Sequence, residues 1–167
     1  VCYPAKLLHG HVEALVEEGV DAIWYPCMSY NNDEGIGDNH YNCPVVAYYP
    51  ELLAANVPLL KQTKFLNPYV GLWRHKDFEK RIAQLMEDFS IPRRETAAAA
   101  KAAYAAYAAY VHDVRETGMK YIRHARDHHM PILVACGRPY HIDPEINHGI
   151  NDLITSFGFV LVTEDAL

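Results

Sequence analysis

The sequence predicts an α/β fold: Rossmann-like parallel-sheet lobes built from βαβ units, with one long alanine-rich helix between them. Short apolar runs alternate with amphipathic helical segments along the chain, and this alternation is typical of parallel sheets with right-handed crossovers. An alanine-rich stretch in the second half is the one low-complexity segment of the sequence. We therefore predict a first α/β lobe at residues 1–90. Residues 91–167 should form the long helix and the start of a second lobe, with a soft boundary near Ser90.

In the first lobe, residues 6–18 carry apolar side chains at helical spacing and end before Gly19, the residue type that best tolerates a left-handed helix cap. Residues 20–25 form a short apolar run ended by Pro26, which indicates a strand buried on both faces. Residues 27–43 are rich in Asn, Asp, Gly and Ser and indicate a long loop, a class of segment that is usually functional. The remaining predictions are a second strand at 44–49, a helical turn at 50–55, a third strand at 64–66 and an amphipathic helix at 77–89.

The second half opens with the strongest helical signal, which starts at Glu95 and runs toward His128 or His129. Within it a tyrosine recurs every third residue, at Tyr104, Tyr107 and Tyr110. Such a stripe predicts core packing or a helix–helix contact, whereas an exposed stripe would indicate a docking surface. Gly118 weakens the middle of the helix and could mark a bend. The elements predicted beyond it are a strand at 131–135, a helix at 144–156 capped by Asp143, and a last strand at 159–162.

The composition and net charge of the chain limit the partners and the compartment that we expect for it. The chain has 167 residues, half of them apolar, so it can bury a core, and its net charge is −6 with basic residues scattered rather than striped. We therefore expect neither nucleic acid nor a membrane as a partner. The chain begins at Val1 and shows no secretory signal, so we expect a segment of a larger protein in a reducing, cytoplasmic compartment.

The four cysteines fall where ligands collect in parallel sheets, beyond the carboxyl ends of strands. Cys27 follows the strand at 20–25, Cys136 follows the strand at 131–135, and Cys2 precedes the first helix as if it followed a strand. Cys43 closes the long polar loop, so the loop can bring it close to Cys27 in a shared metal centre. We expect helix N-termini and a neighbouring cation such as Lys6 to lower the pKa of these thiols. The spacing alone leaves zinc, an iron–sulfur cluster and inert buried thiols open.

The loops around the cysteines carry a more specific signal. They contain CYPAK at residues 2–6, YPCMSYN at 25–31, DNHYNCP at 38–44 and GRPYHIDPEINHG at 137–149. These segments closely resemble the uncharacterised domain of acyl-CoA dehydratase activases, which is related to 2-hydroxyglutaryl-CoA dehydratase. In the distantly related dehydratase subunits, three cysteines from strand-end loops hold a 4Fe-4S cluster between two Rossmann-like lobes.

The resemblance implies that Cys2, Cys27 and Cys43 bind a 4Fe-4S cluster, with Cys136 facing the same cleft as a fourth ligand or a neighbour. It also implies a partner: an ATPase activase domain, commonly on the same polypeptide, that injects a low-potential electron. An acyl-CoA is the candidate substrate.

A second candidate site surrounds the loop that leaves the Cys136 strand. Arg138, His141 and His148 lie in or after this loop and are our candidates for binding the anionic group of a cofactor. In the alternative interpretation, Arg138 pairs with an acidic neighbour and Asp143 merely caps a helix.

The function favoured by the sequence is an iron–sulfur, electron-accepting module of an acyl-CoA dehydratase or activase system, with no catalytic residue assigned. The alternative from another class is a noncatalytic docking or regulatory α/β domain whose cysteines are structural or bind zinc. A thiol enzyme that pairs Cys43 with His40 is the third and weakest hypothesis.

Overall fold

The computed structural model describes residues 2–35 and 37–167; Val1 and Ile36, the latter within the predicted loop at 27–43, lie outside the described residues. The chain divides into two compact units, unit 1 (Val1–Ala98) and unit 2 (Ala99–Leu167). The change from one unit to the other falls inside the long helix. Ser90, where composition suggested a boundary, lies in the turn before that helix and has a φ of 58°.

Unit 1 is built from helices around a short pair of parallel strands. Its described elements are α1 (Tyr3–Glu17), β1 (Ala22–Trp24), α2 (Pro44–Ala47), α3 (Tyr49–Asn56), a 3-10 helix (Pro58–Gln62), β2 (Lys64–Leu66), α4 (His75–Glu87) and the first turns of α5 (Arg93–Asp127). The predicted helices and the strands at 20–25 and 64–66 are confirmed within a few residues. Gly19 follows α1 with a φ of 72°, as expected for a left-handed helix end.

The predicted strand at 44–49 is wrong, because this segment forms α2 and the start of α3. Its apolar residues suggested a strand, but Pro44 occupies the first turn of α2, where its fixed φ favours a helix. The N–H groups of Val46 and Ala47 donate to the Cys43 carbonyl at 3.0 and 2.9 Å. Local capping chemistry therefore outweighed the apolar pattern.

β1 and β2 run parallel, with Ala22 opposite Lys64 and Trp24 opposite Leu66. A short connection, residues 18–21, joins α1 to β1. The core of unit 1 is a cluster of buried side chains from α1, β1, α3 and the segment after α3: Val12, Ile23, Leu53, Val57 and Leu60. This core fixes the strand ends from which the cysteine loops leave.

Unit 2 contains the rest of α5 and a second parallel strand pair. Its further elements are β3 (Ile132–Ala135), a 3-10 helix (Pro139–Ile142), α6 (Pro144–Asn147), α7 (Ile150–Ser156), β4 (Val160–Thr163) and a final 3-10 helix (Glu164–Ala166). β3 and β4 pair from Ile132 opposite Val160 to Ala135 opposite Thr163. Both predicted strands are confirmed. The core consists of Ile122, Ala125, Val160 and Val162.

The predicted helix at 144–156 is two helices instead of one. His148 and Gly149 separate α6 from α7, with φ values of 52° and 78°. A helix cannot continue through two successive residues in the left-handed region. The chain therefore turns sharply between α6 and α7.

α5 spans 35 residues and continues through Gly118. A Cβ atom at position 118 would collide with the backbone carbonyl of Ala166, so glycine is required by a close approach of the two backbones. Two residues of the tyrosine stripe, Tyr107 and Tyr110, are exposed and are therefore not part of the core.

Among the described helices, α5 included, none combines the length and the apolar character needed to cross a membrane.

Candidate functional site

Cys27 is held immediately beyond the carboxyl end of β1. Its N–H donates to the Pro68 carbonyl at 2.9 Å, and its own carbonyl accepts from the Val70 N–H at 3.0 Å. These bonds extend the parallel pairing of β1 and β2 past the strands themselves, with Cys27 opposite Tyr69. The side chain of Cys27 is fully buried. Its position is therefore fixed by the sheet and by the surrounding core.

Cys43 is returned toward Cys27 by a narrow double strand within the polar loop. The Asn42 N–H donates to the Ser29 carbonyl, and the Asn42 side-chain amide donates to the Met28 carbonyl, both at 2.9 Å. Tyr30 pairs with Tyr41 farther along the same ladder. The loop therefore folds back on itself, as the sequence suggested. The side-chain amide of Asn42 thus helps to close the loop.

Cys2 occupies the N-cap position of α1, with Tyr3 and Pro4 in the first turn. Its backbone is extended and its carbonyl accepts from the Lys6 N–H at 3.3 Å. The side chain is exposed.

The three cysteines of unit 1 share one feature: each lies at the N-terminal end of a different helix. Cys2 caps α1 and Cys43 caps α2, while the Cys27 thiol is hydrogen-bonded by the backbone of Glu51 in the first turn of α3. Helix N-termini present free N–H groups and partial positive charge, which favour thiolates over thiols. All four cysteines of the chain are free thiols.

Burial opposes this electrostatic effect at Cys27. Removal of the thiol from water raises its pKa; the hydrogen bond from the Glu51 backbone lowers it, and the negative charge of the Glu51 carboxylate raises it again. The expectation that the surroundings lower the pKa is therefore wrong for Cys27. A metal that binds there must displace the proton of a neutral thiol.

Tyr25 links Cys27 and Cys43. Burial, and after it the negative charges of the Cys27 and Cys43 thiolates, raise the pKa of the Tyr25 hydroxyl to about 12. Both sulfurs therefore lie within electrostatic reach of one phenol, which donates to the Val45 carbonyl at 3.4 Å. Sequence reasoning missed Tyr25 and Glu51. The signal for Tyr25 was its place directly before Pro26-Cys27, whereas the approach of Glu51 depends on tertiary packing.

The candidate metal ligands of unit 1 are three thiols, the ligand type that iron–sulfur clusters use. Across residues 2–35 and 37–167, no group of three or more His, Cys, Asp and Glu side chains could hold one metal ion. A preformed zinc site is therefore absent from the described residues. A 4Fe-4S cluster binds each thiolate through a different iron, so its ligand sulfurs need not converge on one point. The ligand chemistry of three thiols therefore fits such a cluster, whereas none of the described contacts joins Cys2 to the other two.

His40 is occupied by other partners. Its ring packs against Tyr30 and Trp73, with centroids 5.3 and 5.5 Å away, and its Nδ1 lies 3.9 Å from an Asp33 carboxylate oxygen. These contacts place His40 in an aromatic group on the loop surface. They give no support to a nucleophilic pair with Cys43.

Unit 2 has a cleft of about 430 Å³ at the carboxyl ends of β3 and β4. Cys136, Arg138 and His141 line it, whereas His148 is outside the set of described lining residues. His148 instead forms the left-handed end of α6. The structure thus brings two of the three candidate anion-binding residues to one cleft and adds the exposed thiol of Cys136.

The polar groups of this cleft are partly satisfied by the protein itself. The Gly137 N–H donates to Glu164 Oε2 at 2.8 Å, and the Arg138 N–H donates to His141 Nδ1 at 3.1 Å. The Asp143 side chain accepts from the Glu145 N–H at 2.9 Å, which confirms its role as a helix cap. A carboxylate already occupies the backbone donor that an anion would use. Sequence reasoning missed Glu164, whose position at the end of β4 was the available signal.

Together these features define an α/β protein of two small parallel-stranded units, with thiols and a ligand-sized cleft beyond the strand ends. The chain belongs to the family described as CoA enzyme activase uncharacterised domain (DUF2229), whose model matches residues 1–167. The resemblance read from the cysteine loops is thereby confirmed. Comparison with curated proteins and with solved structures gives no match.

Proposed function

We propose that this domain is a cytoplasmic iron–sulfur module of an acyl-CoA dehydratase or activase system, and that Cys2, Cys27 and Cys43 bind a 4Fe-4S cluster. The observation that supports the proposal is that each of the three thiols lies at the N-terminal end of a different helix of unit 1. When bound, such a cluster accepts and returns single electrons. The electron donor is an ATPase activase domain, on the same polypeptide or as a partner.

Each part of unit 1 would contribute to this role through its own residues. The backbone bonds of Cys27 to Pro68 and Val70 fix one ligand, and its burial keeps water from that side of the site. The N–H···S bond from Glu51 stabilises negative charge on sulfur and would raise the reduction potential. Tyr25 stays protonated at neutral pH, so its phenol adds no further negative charge beside the thiolates.

Anaerobic reconstitution with iron and sulfide tests this proposal. We expect about four irons and four sulfides per chain, with a reduced-cluster EPR signal. Cys2→Ser, Cys27→Ser and Cys43→Ser should each lower iron content, whereas Cys136→Ser is the matched control and should keep it. Circular dichroism checks that each variant is folded. A wild-type chain that takes up neither iron nor sulfide with its thiols intact would overturn the proposal.

The cleft of unit 2 is the proposed site for the acyl-CoA. Arg138 and His141 offer cationic or hydrogen-bonding groups at its rim, and the carboxylate of Glu164 holds the Gly137 N–H until a carboxylate or phosphate replaces it. Calorimetric titration with acetyl-CoA should show weaker binding in Arg138→Ala and tighter binding in Glu164→Gln. His148→Ala is the control, because His148 is not among the described residues that line the cleft. Equal binding in Arg138→Ala and wild type would contradict the proposal that this cleft binds the acyl-CoA.

A noncatalytic docking domain is the second candidate function. The observation that favours it is the exposed apolar face of α7, where Ile150, Leu153 and Phe157 are all exposed. Large exposed apolar patches commonly mark interaction sites. The cysteine variants separate the two functions. If they leave binding to the ATPase domain and the fold intact but abolish electron uptake, the cluster function is favoured over docking alone.

A further inference from the structure

The last turns of α5 carry two histidines one helical turn apart. His124 and His128 are both exposed, and the i, i+4 spacing puts them on the same face of the helix. Their ring centroids are 4.2 Å apart and the ring planes are inclined by 33°. Two imidazoles that bind one ion through nitrogen–metal bonds of about 2.1 Å must also lie side by side, with their ligand nitrogens about 3 Å apart.

A backbone contact determines the tautomer of the neutral His128 ring. Its Nδ1 lies 2.8 Å from the carbonyl oxygen of His124. A carbonyl can only accept, so Nδ1 carries the proton in this bond and the lone pair of the neutral ring is on Nε2. Metal-binding histidines commonly donate their other ring N–H to a backbone carbonyl in this way, which orients the ring and fixes its tautomer.

We propose that His124 and His128 form a binding site for a late first-row divalent cation of the Ni²⁺, Cu²⁺ and Zn²⁺ type. Imidazole is a preferred ligand for these ions. Nε2 of His128 and a ring nitrogen of His124 supply two ligands, and water fills the remaining positions. The site uses none of the cysteines and is independent of the function proposed above.

The charged side chains around His124 and His128 should affect the affinity of the site for a cation. Asp127 precedes His128 directly and supplies the nearest acidic group in the sequence, while Lys120 lies one turn before His124 on the same helical stripe. Arg123 is drawn toward Glu116, 4.0 Å away. A bound cation should therefore be favoured by Asp127 and opposed chiefly by Lys120. Lys120→Ala should tighten binding.

Titration with Ni²⁺, followed by amide NMR and calorimetry, tests the site while separating it from the four thiols. Paramagnetic Ni²⁺ bound to the pair should broaden the amide signals of residues 120–129 at the lowest metal concentrations. His124→Ala and His128→Ala should each weaken this site about tenfold or more, since even loss of a supporting group costs that much. His112→Ala, which removes another exposed histidine of α5, is the matched control and should bind as wild type does.

Alanine is well tolerated at exposed helix positions, so both variants should melt as wild type does without metal; His124→Gln and His128→Gln provide a second pair if either does not. Broadening at residues 120–129 that persists unchanged in both histidine variants would overturn the proposal. Broadening confined to the surroundings of the cysteines would overturn it equally.

Discussion

The two units hold their cysteines in opposite surroundings. In unit 1, Cys27 is fully buried, and both the backbone and the carboxylate of Glu51 in α3 act on its thiol. In unit 2, Cys136 is exposed at the rim of an open cleft, above a smaller core. Both residues follow a parallel strand, so the difference comes from what packs over the strand end.

This difference is consistent with the separate roles that we propose for the two units. A ligand thiol needs a fixed position, which the rigid packing around Cys27 supplies. A cleft for a small molecule needs an open surface with a few polar groups, and unit 2 leaves such a surface at its strand ends. We therefore expect the same kind of substitution to have different effects in the two units.

The largest effect is expected for truncation of a core leucine in unit 1. Leu53 is 0% exposed, whereas Leu153 on α7 of unit 2 is 56% exposed. Leu53→Ala should lower the free energy of unfolding by about 3 kcal/mol, because it removes buried methyl groups and leaves a cavity. Leu153→Ala should change it by less than about 0.5 kcal/mol. Urea denaturation of both variants measures the two effects, and equal losses would contradict the contrast between a closed and an open unit.

A smaller effect, of opposite sign in the two units, is expected from glycine-to-alanine changes within helices. Among described atoms, none lies within 4 Å of a Cβ added at Gly10 of α1, but a Cβ at Gly118 of α5 meets the backbone and side chain of Ala166. Gly10→Ala should therefore stabilise the protein by about 0.5–1 kcal/mol through helix propensity. Gly118→Ala should destabilise it by about 1–3 kcal/mol, because overpacking exceeds the propensity gain.

Thermal denaturation of the two glycine variants shows directly whether each one is more or less stable than wild type. If Gly118→Ala is also more stable than wild type, then the final 3-10 helix does not pack against α5 as described. Gly10→Ala serves as the internal control for the propensity term, since both sites are helical and differ chiefly in their neighbours.

Sequence patterns predicted most of the scaffold of both units. Alternating apolar runs located β1 to β4, and the alanine-rich stretch located α5, because periodicity and propensity are local properties. Failures occurred where a cap or a backbone conformation decided the outcome. The strand expected at 44–49 became helix because of Pro44 and Cys43, and the helix expected at 144–156 was interrupted by His148 and Gly149.

The candidate sites were predictable to a lesser degree. The strand-end positions of Cys27 and Cys136 followed from the order of elements, and the return of the polar loop toward Cys27 followed from its length. The Glu51 and Glu164 contacts join residues that are distant in the chain, so no local pattern shows them. The sign of the pKa shift at Cys27 was missed for the same reason, since burial is a property of the packed structure.

The smallest effect is expected from Tyr25→Phe, which should leave stability at neutral pH nearly unchanged but alter the alkaline titration of unit 1. The pKa of Tyr25 is raised from 10.0 to about 12, chiefly by burial and then by the charges of Cys27 and Cys43. A raised folded-state pKa means that the unfolded chain loses this proton first. Its contribution to stability is therefore complete below pH 10 and is lost as the pH rises to about 12.

The near-ultraviolet absorbance of phenolate, compared between wild type and Tyr25→Phe, isolates this ionisation. The difference should show a midpoint of about 12 in the folded proteins and return to the ordinary value of 10.0 in urea. Cys27→Ser combined with Cys43→Ser should move the folded midpoint only part of the way down, because burial is the larger cause. Cys136→Ser should not move it. A folded midpoint at the ordinary value would mean that Tyr25 is solvated, and the closed character of unit 1 around its thiols would then have to be abandoned.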